Sequence, residues 1–193
     1  NSGTSSRAIS NWNNRAVLNP NDDIVATANY EIKNRWTFRL DYTKDLFGFG
    51  NTIVSLFFEH RSGRPFSWVF DNDANGDDIP DNDLLFVPNP GEVMFVDGSG
   101  NPDPVGEAAF FDLVANNSVL ANAQGGVVGR NTDRSPTVET LDISFIQQID
   151  IGRFGMLEAF FSIENLLNMI DSDWGLINEV PFEFVAEVVD FEG

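Results

Sequence analysis

Cysteine is absent from this 193-residue chain, histidine occurs once, and 30 acidic side chains face only 11 basic ones. Without thiols there is neither a disulfide framework nor a thiolate metal site; an oxidising compartment is tolerated without being required. The formal charge of −19 disfavours nucleic acid and anionic membrane surfaces as partners held by bulk charge, and favours cations. No run approaches about 18 apolar residues, which excludes a transmembrane helix. A transmembrane β-barrel is not excluded, because it writes its signal as ~10-residue segments of alternating polarity that a hydropathy window averages away. The opening Asn1-Ser2-Gly3-Thr4-Ser5-Ser6 has no initiator Met, basic n-region or apolar h-region, so the chain reads as a processed or excised piece of something larger.

What is present is apolar material patterned for strands. Hydrophobic residues make up 42% of the chain and 18 of the residues are Phe, enough for a core or a lipid-facing belt and too much for wholesale disorder. Residues 1–27 are rich in Asn, Ser and Asp and read as a polar loop. Residues 28–70 carry a hairpin and a strand extension. From Tyr30 to Tyr42, Ile32, Trp36, Phe38, Leu40 and Tyr42 alternate with Glu31, Lys33, Arg35, Thr37, Arg39 and Asp41. That period of two predicts a strand with one wet and one greasy face. Gly48 and Gly50 supply the reversal, Thr52 to His60 the returning strand, and Phe66 to Phe70 resumes extended structure after Pro65.

Residues 71–133 hold no sustained alternation and read as one long loop, a length that is usually functional. Inside it, Asp103-Pro104 predicts a helix start, running through Phe110 toward Asn116, with a short turn around 118–123 stopped by Gly125-Gly126. Residues 134–165 form a second hairpin. Leu141, Ile143, Phe145, Ile149 and then Leu157, Ala159, Phe161, Ile163 lie on one face, and the turn is at 150–155. Residues 166–193 read as a turn followed by a final β-prone stretch from Glu183 to Phe191.

Two architectures fit: an antiparallel sandwich whose greasy faces meet each other, or part of a barrel whose greasy face meets lipid. Both hairpin reversals are short and the connections at the opposite end are long and polar, the asymmetry of outer-membrane barrels. The fold class expected is therefore all-β, an antiparallel transmembrane β-barrel segment with one long extracellular loop containing a short helix.

The loop opens on Asp71-Asn72-Asp73-Ala74-Asn75-Gly76-Asp77-Asp78-Ile79-Pro80-Asp81-Asn82-Asp83. Asp71, Asp73 and Asn75 take positions 1, 3 and 5 of an EF-hand-like loop and Gly76 position 6, but position 12 is Asn82 rather than a bidentate Glu. The candidate ligands for Ca²⁺ are Asp71, Asp73, Asn75, Asp77, Asp81 and Asp83; the bland reading is a solvated acidic turn.

Enzymatic constellations are not evident. A Ser-His-Asp arrangement would need Ser62 or Ser67 beside His60, a geometry the sequence does not specify, and His60 reads as a strand residue near a rim. Glu158 and Glu164 lie roughly 20 Å apart along one strand, too far for a glycosidase pair. The glycines at 48, 50, 125, 126 and 129 match no phosphate loop. Arg61, Arg64, Arg130 and Arg134 read as strand-end cations balancing local acids, or as partners for the acidic loop or an anionic substrate. Trp36, Tyr42, Trp68 and Trp174 are candidates for an interfacial aromatic girdle.

Three segments resemble, in order, the C-terminal barrel portion of TonB-dependent outer-membrane receptors, the Oar-like group in particular. They are Thr52 to Ser67, with the acidic loop and Asn82-Asp83-Leu84-Leu85-Phe86-Val87-Pro88; then Gly129-Arg130-Asn131 with Asp133-Arg134-Ser135-Pro136; then Phe161 to Asn168 with Ser172-Asp173-Trp174-Gly175. The resemblance implies a segment of a larger barrel of ~22 strands, in the bacterial outer membrane with its long loops extracellular. It implies uptake of a scarce nutrient, with the rest of the barrel and a plug domain as partners in the same or another chain. TonB would engage through an N-terminal region missing here, and outer-membrane lipid would cover the greasy face. The chain lacks a plug, a TonB box and the usual aromatic-terminated last strand, closing on Val188-Val189-Asp190-Phe191-Glu192-Gly193. The alternative from another class is a secreted Ca²⁺-binding β-sandwich for adhesion or carbohydrate binding.

Overall fold

The computed structural model describes residues 15–22 and 24–192, so the first part of the polar 1–27 stretch lies outside the described residues. The chain is mostly strand with a few helices, an all-β class as expected, and no closed barrel is seen among the described residues. It separates into two compact units. One comprises 32–63 with 135–179; the other comprises the described residues of 15–31, 64–134 and 180–192.

The first unit is a four-stranded antiparallel sheet in the order β1-β2-β7-β8, where β1 is Arg35–Lys44, β2 Thr52–Arg61, β7 Val138–Asp150 and β8 Met156–Ile163. Two-residue periodicity fixed both hairpins in the sequence; pairing then carries the pattern across all four strands. Leu40, Leu56, Ile143 and Ile163 stand in one row, and Tyr42, Val54, Phe145 and Phe161 in the next. The opposite face alternates in register, with Asp41, Ser55, Ser144 and Ser162 in one row and Thr43, Ile53, Ile146 and Phe160 in another. The expected strand from Tyr30 begins only at Arg35, because the backbone of Asn34 is taken up with Ser62 just beyond β2.

At the tight-turn end, Gly50 has φ +147 and a Cβ there would collide with the backbone of Gln148. The turn at 45–51 thus lies directly against β7 near the second turn, and only glycine fits. Asp45 Oδ1 caps the first turn, accepting from Phe47 N at 3.2 Å and Gly48 N at 2.6 Å. The second turn includes a 3₁₀ segment at Gly152–Phe154.

The 71–133 stretch is not an open loop. With its flanks it packs a core of its own, Leu85, Val87, Phe110, Val114, Leu120 and Val128, against which Trp68, Phe70, Phe95 and Phe111 lie. Helix α1, Pro104–Asn116, starts where the sequence placed it: Asp103 Oδ1 accepts from Val105 N and Gly106 N, with proline at the first turn. The expected turn at 118–123 is a second helix, α2, Ser118–Asn122, whose cap Asn117 accepts from Val119 N and Leu120 N. β3 (Pro65–Val69) pairs antiparallel with β6 (Asp133–Arg134) and parallel with β9 (Val185–Glu187), while β4 (Phe86–Val87) pairs with β5 (Gly126–Val127). Of the expected β-prone stretch 183–191, only 185–187 is strand.

Candidate functional site

Three features of the described residues bear on function: the apolar face of the four-stranded sheet, the acidic loop, and a groove in the other unit.

On β1 every residue is exposed, and Trp36, Phe38, Leu40 and Tyr42 keep 72, 58, 49 and 50% of their surface open. Leu157 and Phe161 on β8 keep 54% and 61%, and no apolar residue of this face on the two central strands is fully buried. A soluble sheet buries such a face against another layer. A polar row bounds the band at one border, and a second polar row crosses it near the other, ahead of the Ile149–Leu157 pair. Trp36, His60 and Glu139 form the row at one border, where His60 Nδ1 meets Glu139 Oε1 at 2.9 Å. At the other, Lys44, Thr52 and Gln147 line up; Thr52 Oγ1 donates to Gln147 Oε1 at 2.6 Å, and Gln147 Nε2 donates to the Gln148 carbonyl at 2.7 Å. Trp36 and Tyr42 therefore sit near opposite margins of the band. Trp68, by contrast, packs against the core of the other unit and donates Nε1–H to Asp133 at 2.8 Å; Trp174 is exposed in the turn after β8. The ten residues of β1, at about 3.4 Å per residue, span roughly 34 Å along the strand. No helix among the described residues is long and apolar enough to cross a membrane.

Within the acidic loop, the carboxylates divide into two groups. Asp73 turns inward, accepting from the backbone N–H groups of Gly76, Asp77 and Asp78. Desolvation pushes its carboxyl up, but the N–H groups of Asp78, Gly76, Asp77 and Asn75 together outweigh it and hold it below the usual carboxylate range. Asp77 accepts from Ile79 N. Asp83 accepts from Ala74 N, Asn75 N and the Asn75 side-chain amide; its carboxyl is raised by burial, with the charges of Asp77 and Asp73 adding to the rise against those donors. Asp71 and Asp81 instead converge with Glu187, their carboxylate oxygens all within 4.8 Å of one another. Parallel pairing brings β9 alongside β3, with Asp71 N bonded to the Val189 carbonyl at 3.0 Å. The structure thus brings Asp71 and Asp81 together with Glu187, which the sequence reading missed. It places Asp73, Asn75, Asp77 and Asp83 in a separate internal hydrogen-bond network. Desolvation and the neighbouring charges of Asp81 and Asp71 raise the Glu187 carboxyl. Three oxygen donors of this kind suit a hard cation such as Ca²⁺.

The four arginines pair locally. Arg61 is held bidentate by Glu179 at 2.6 and 3.1 Å, Arg134 by Glu31, and Arg64 lies over the rings of Tyr30 and Phe184. Arg130 donates to the Ile24 carbonyl. Ser62 Oγ accepts from Asn34 N and Ser67 Oγ donates to Asn131 Oδ1, while His60 pairs with Glu139. Glu158 accepts from Gln148.

Several residues in the resemblance segments prove to be loop staples. Asn131, at φ +55, accepts from Ser67 Oγ and donates to the Thr27 carbonyl and Asn29 Oδ1, both at 2.6 Å. Asp133 Oδ2 ties Trp68 Nε1 to the Asn117 side chain. Asn165, at φ +54, donates its backbone N–H to Asp142 and its amide to the Gly175 carbonyl. Asn168 binds the carbonyls of Ser172 and Trp174.

The third feature is a groove of about 760 Å³ floored by Phe70, Leu84, Phe86, Phe95 and Phe110. Among the described residues, the charged ones in its lining are Asp83, Asp97, Asp103, Asp190 and Glu192. Backbone donors from Asn101 and Ser99 hold the Asp97 carboxyl below its ordinary range.

No family model, no curated protein and no solved structure matches the chain.

Proposed function

We propose that the four-stranded sheet is a wall segment of a bacterial outer-membrane β-barrel, part of a TonB-dependent transport receptor taking up a scarce nutrient, with the rest of the barrel and its plug supplied by the same or another chain. The observation that carries this is the exposed apolar face, bounded at one end by the His60–Glu139 pair and crossed near the other by the Thr52–Gln147 pair, with Trp36 and Tyr42 near the two ends of β1. Among the described residues, no further strand pairs with the outer edges of the sheet, on β1 and β8. In hydrocarbon each unpaired backbone group costs several kcal/mol, so such a sheet needs further strands on both sides, as a barrel provides. The opposite face suits a lumen in its charged half, where Arg39 and Asp41 pair at 2.8 Å. A sandwich for adhesion would bury the apolar face that stands open here. The other unit, entered after β2 and left before β7, is the extracellular part in this reading; its acidic loop binds Ca²⁺ through Asp71, Asp81 and Glu187, bracing the loop rather than performing chemistry. No enzymatic role is proposed.

The absence of native cysteine makes the test direct. Single cysteines at 37 to 42 of this chain, with any cysteine in the rest of the barrel first replaced by serine, are reconstituted in vesicles and treated with a membrane-impermeant maleimide. Positions 38, 40 and 42 are expected to resist and 37, 39 and 41 to react. Equal reactivity at both sets, or a protein monodisperse without detergent, overturns the reading.

A further inference from the structure

We propose that the groove in the second unit is a binding site for a small organic cation with an apolar or aromatic body. The inference stands on that unit alone and does not depend on the membrane reading. The groove's size, about 760 Å³, falls within the ~300–1,000 Å³ of small-molecule sites. Its floor is aromatic and partly open: Phe95 packs on Phe110 at 5.2 Å between ring centroids, Phe70 meets Phe191 at 5.9 Å, and Met94 and Val93 leave 74% and 44% of their surface exposed.

Its walls are fixed rather than draped. Asn72 clamps the backbone of Phe191 from both sides, its Nδ2 donating to the carbonyl at 2.7 Å and its Oδ1 accepting from the N–H at 2.9 Å. That clamp sets Asp190 and Glu192 at the rim. Asp97 is held by the 97–101 turn, where its Oδ1 accepts from Ser99 N and Asn101 N, and Asp103 by its capping bonds to α1. Asp83, itself buried, closes the inner wall beside Ala74 and Asn75.

Aromatic faces present negative charge to a cation, and the five carboxylates, with no basic residue in the lining among the described residues, add to that field. An anion of the same shape would meet repulsion without a compensating donor. The apolar floor sets the demand for a greasy body, and the rim sets the sign of its charge.

Three probes with one body and different heads test this: 4-phenylbutylamine, 4-phenylbutanol and 4-phenylbutyrate, titrated into the full chain in zwitterionic detergent against detergent alone. The amine is expected to bind saturably, the alcohol about tenfold more weakly, and the carboxylate not at all. The exposed-site double variant Asp190→Asn/Glu192→Gln should lower amine affinity toward that of the alcohol, and Met94→Arg should abolish amine binding while leaving the unfolding midpoint unchanged. Equal binding of amine and carboxylate, no saturable amine binding, or amine affinity unaltered in both variants overturns the proposal.

Discussion

The two units handle apolar surface in opposite ways. The four-stranded sheet lays its apolar residues out in rows and leaves them open, and Leu40 on β1 has 49% of its surface exposed. The other unit gathers leucine and valine from strands, loops and two helices until Leu85, Val87 and Leu120 are fully enclosed. The first pattern is local and periodic; the second is assembled from distant segments. The sheet leaves apolar surface within reach of whatever surrounds it, whereas the other unit withdraws its core residues from water.

The sharpest way to break this contrast is to make a cavity in the enclosed core. Leu120→Ala should cost roughly 2–5 kcal/mol, because the site is fully buried among Phe110, Val114 and Val128 and cannot collapse around the loss. Hydrogen exchange should show the loss confined to residues of that unit, with the β1-β2-β7-β8 ladders keeping their protection. Loss of protection across the sheet as well would make the two units one cooperative body.

The reciprocal change places charge on the open face. Leu40→Arg should weaken insertion into vesicles by about 2–4 kcal/mol near the bilayer midplane, whereas Thr37→Arg, on the opposite face, should have little effect. Cooperative folding titrations in vesicles measure both. If the two substitutions cost the same, the apolar face does not contact lipid.

Smaller again is the loss of a staple. Asn131→Ala removes acceptance from Ser67 Oγ and the two donations to the 27–29 segment, leaving a buried hydroxyl and a carbonyl with fewer partners. About 1–3 kcal/mol is expected, read as a lower unfolding midpoint with the sheet unaffected.

What was legible in the sequence follows from range. The alternation from Trp36 to Tyr42 and from Leu157 to Ile163 predicted strands because a sheet face is written every second residue, and Asp103-Pro104 announced α1 because a cap and its first turn are neighbours. The core around Leu85 and Leu120 was not legible: short β4 and β5 carry two residues each, too few to show a period, and α1 and α2 close over them only in three dimensions. The same limit hid Glu187. Its place beside Asp71 and Asp81 depends on parallel pairing of β3 with β9, and parallel partners need not be near in sequence. An acid inside the β-prone stretch after Glu183 was the only available signal. Asn75 shows the converse: EF-hand spacing put it among the ligands, but its side-chain amide is turned to Asp83 within the loop.

The smallest effect expected is on the acidic loop, and pH sets its sign. The Asp83 and Glu187 carboxyls are raised, so the stability they contribute is fully present below their unfolded values and is lost as pH rises through the folded ones. Asp73 is depressed, so its contribution is present above its unfolded value and is lost as pH falls through the folded one. Acidification through the raised folded values of Asp83 and Glu187 should therefore increase protease resistance at 71–83, and further acidification through the depressed value of Asp73 should reverse the gain as Asp73 gives up the N–H groups of Gly76, Asp77 and Asp78. Ca²⁺ should add to that protection by drawing together the carboxylates of Asp71, Asp81 and Glu187, and Glu187→Gln should weaken the effect. Protection by chelator-treated protein equal to that with Ca²⁺ would leave the hydrogen bonds accepted by Asp73, Asp77 and Asp83 as the loop's brace, and would separate the enclosed unit's stability from any metal.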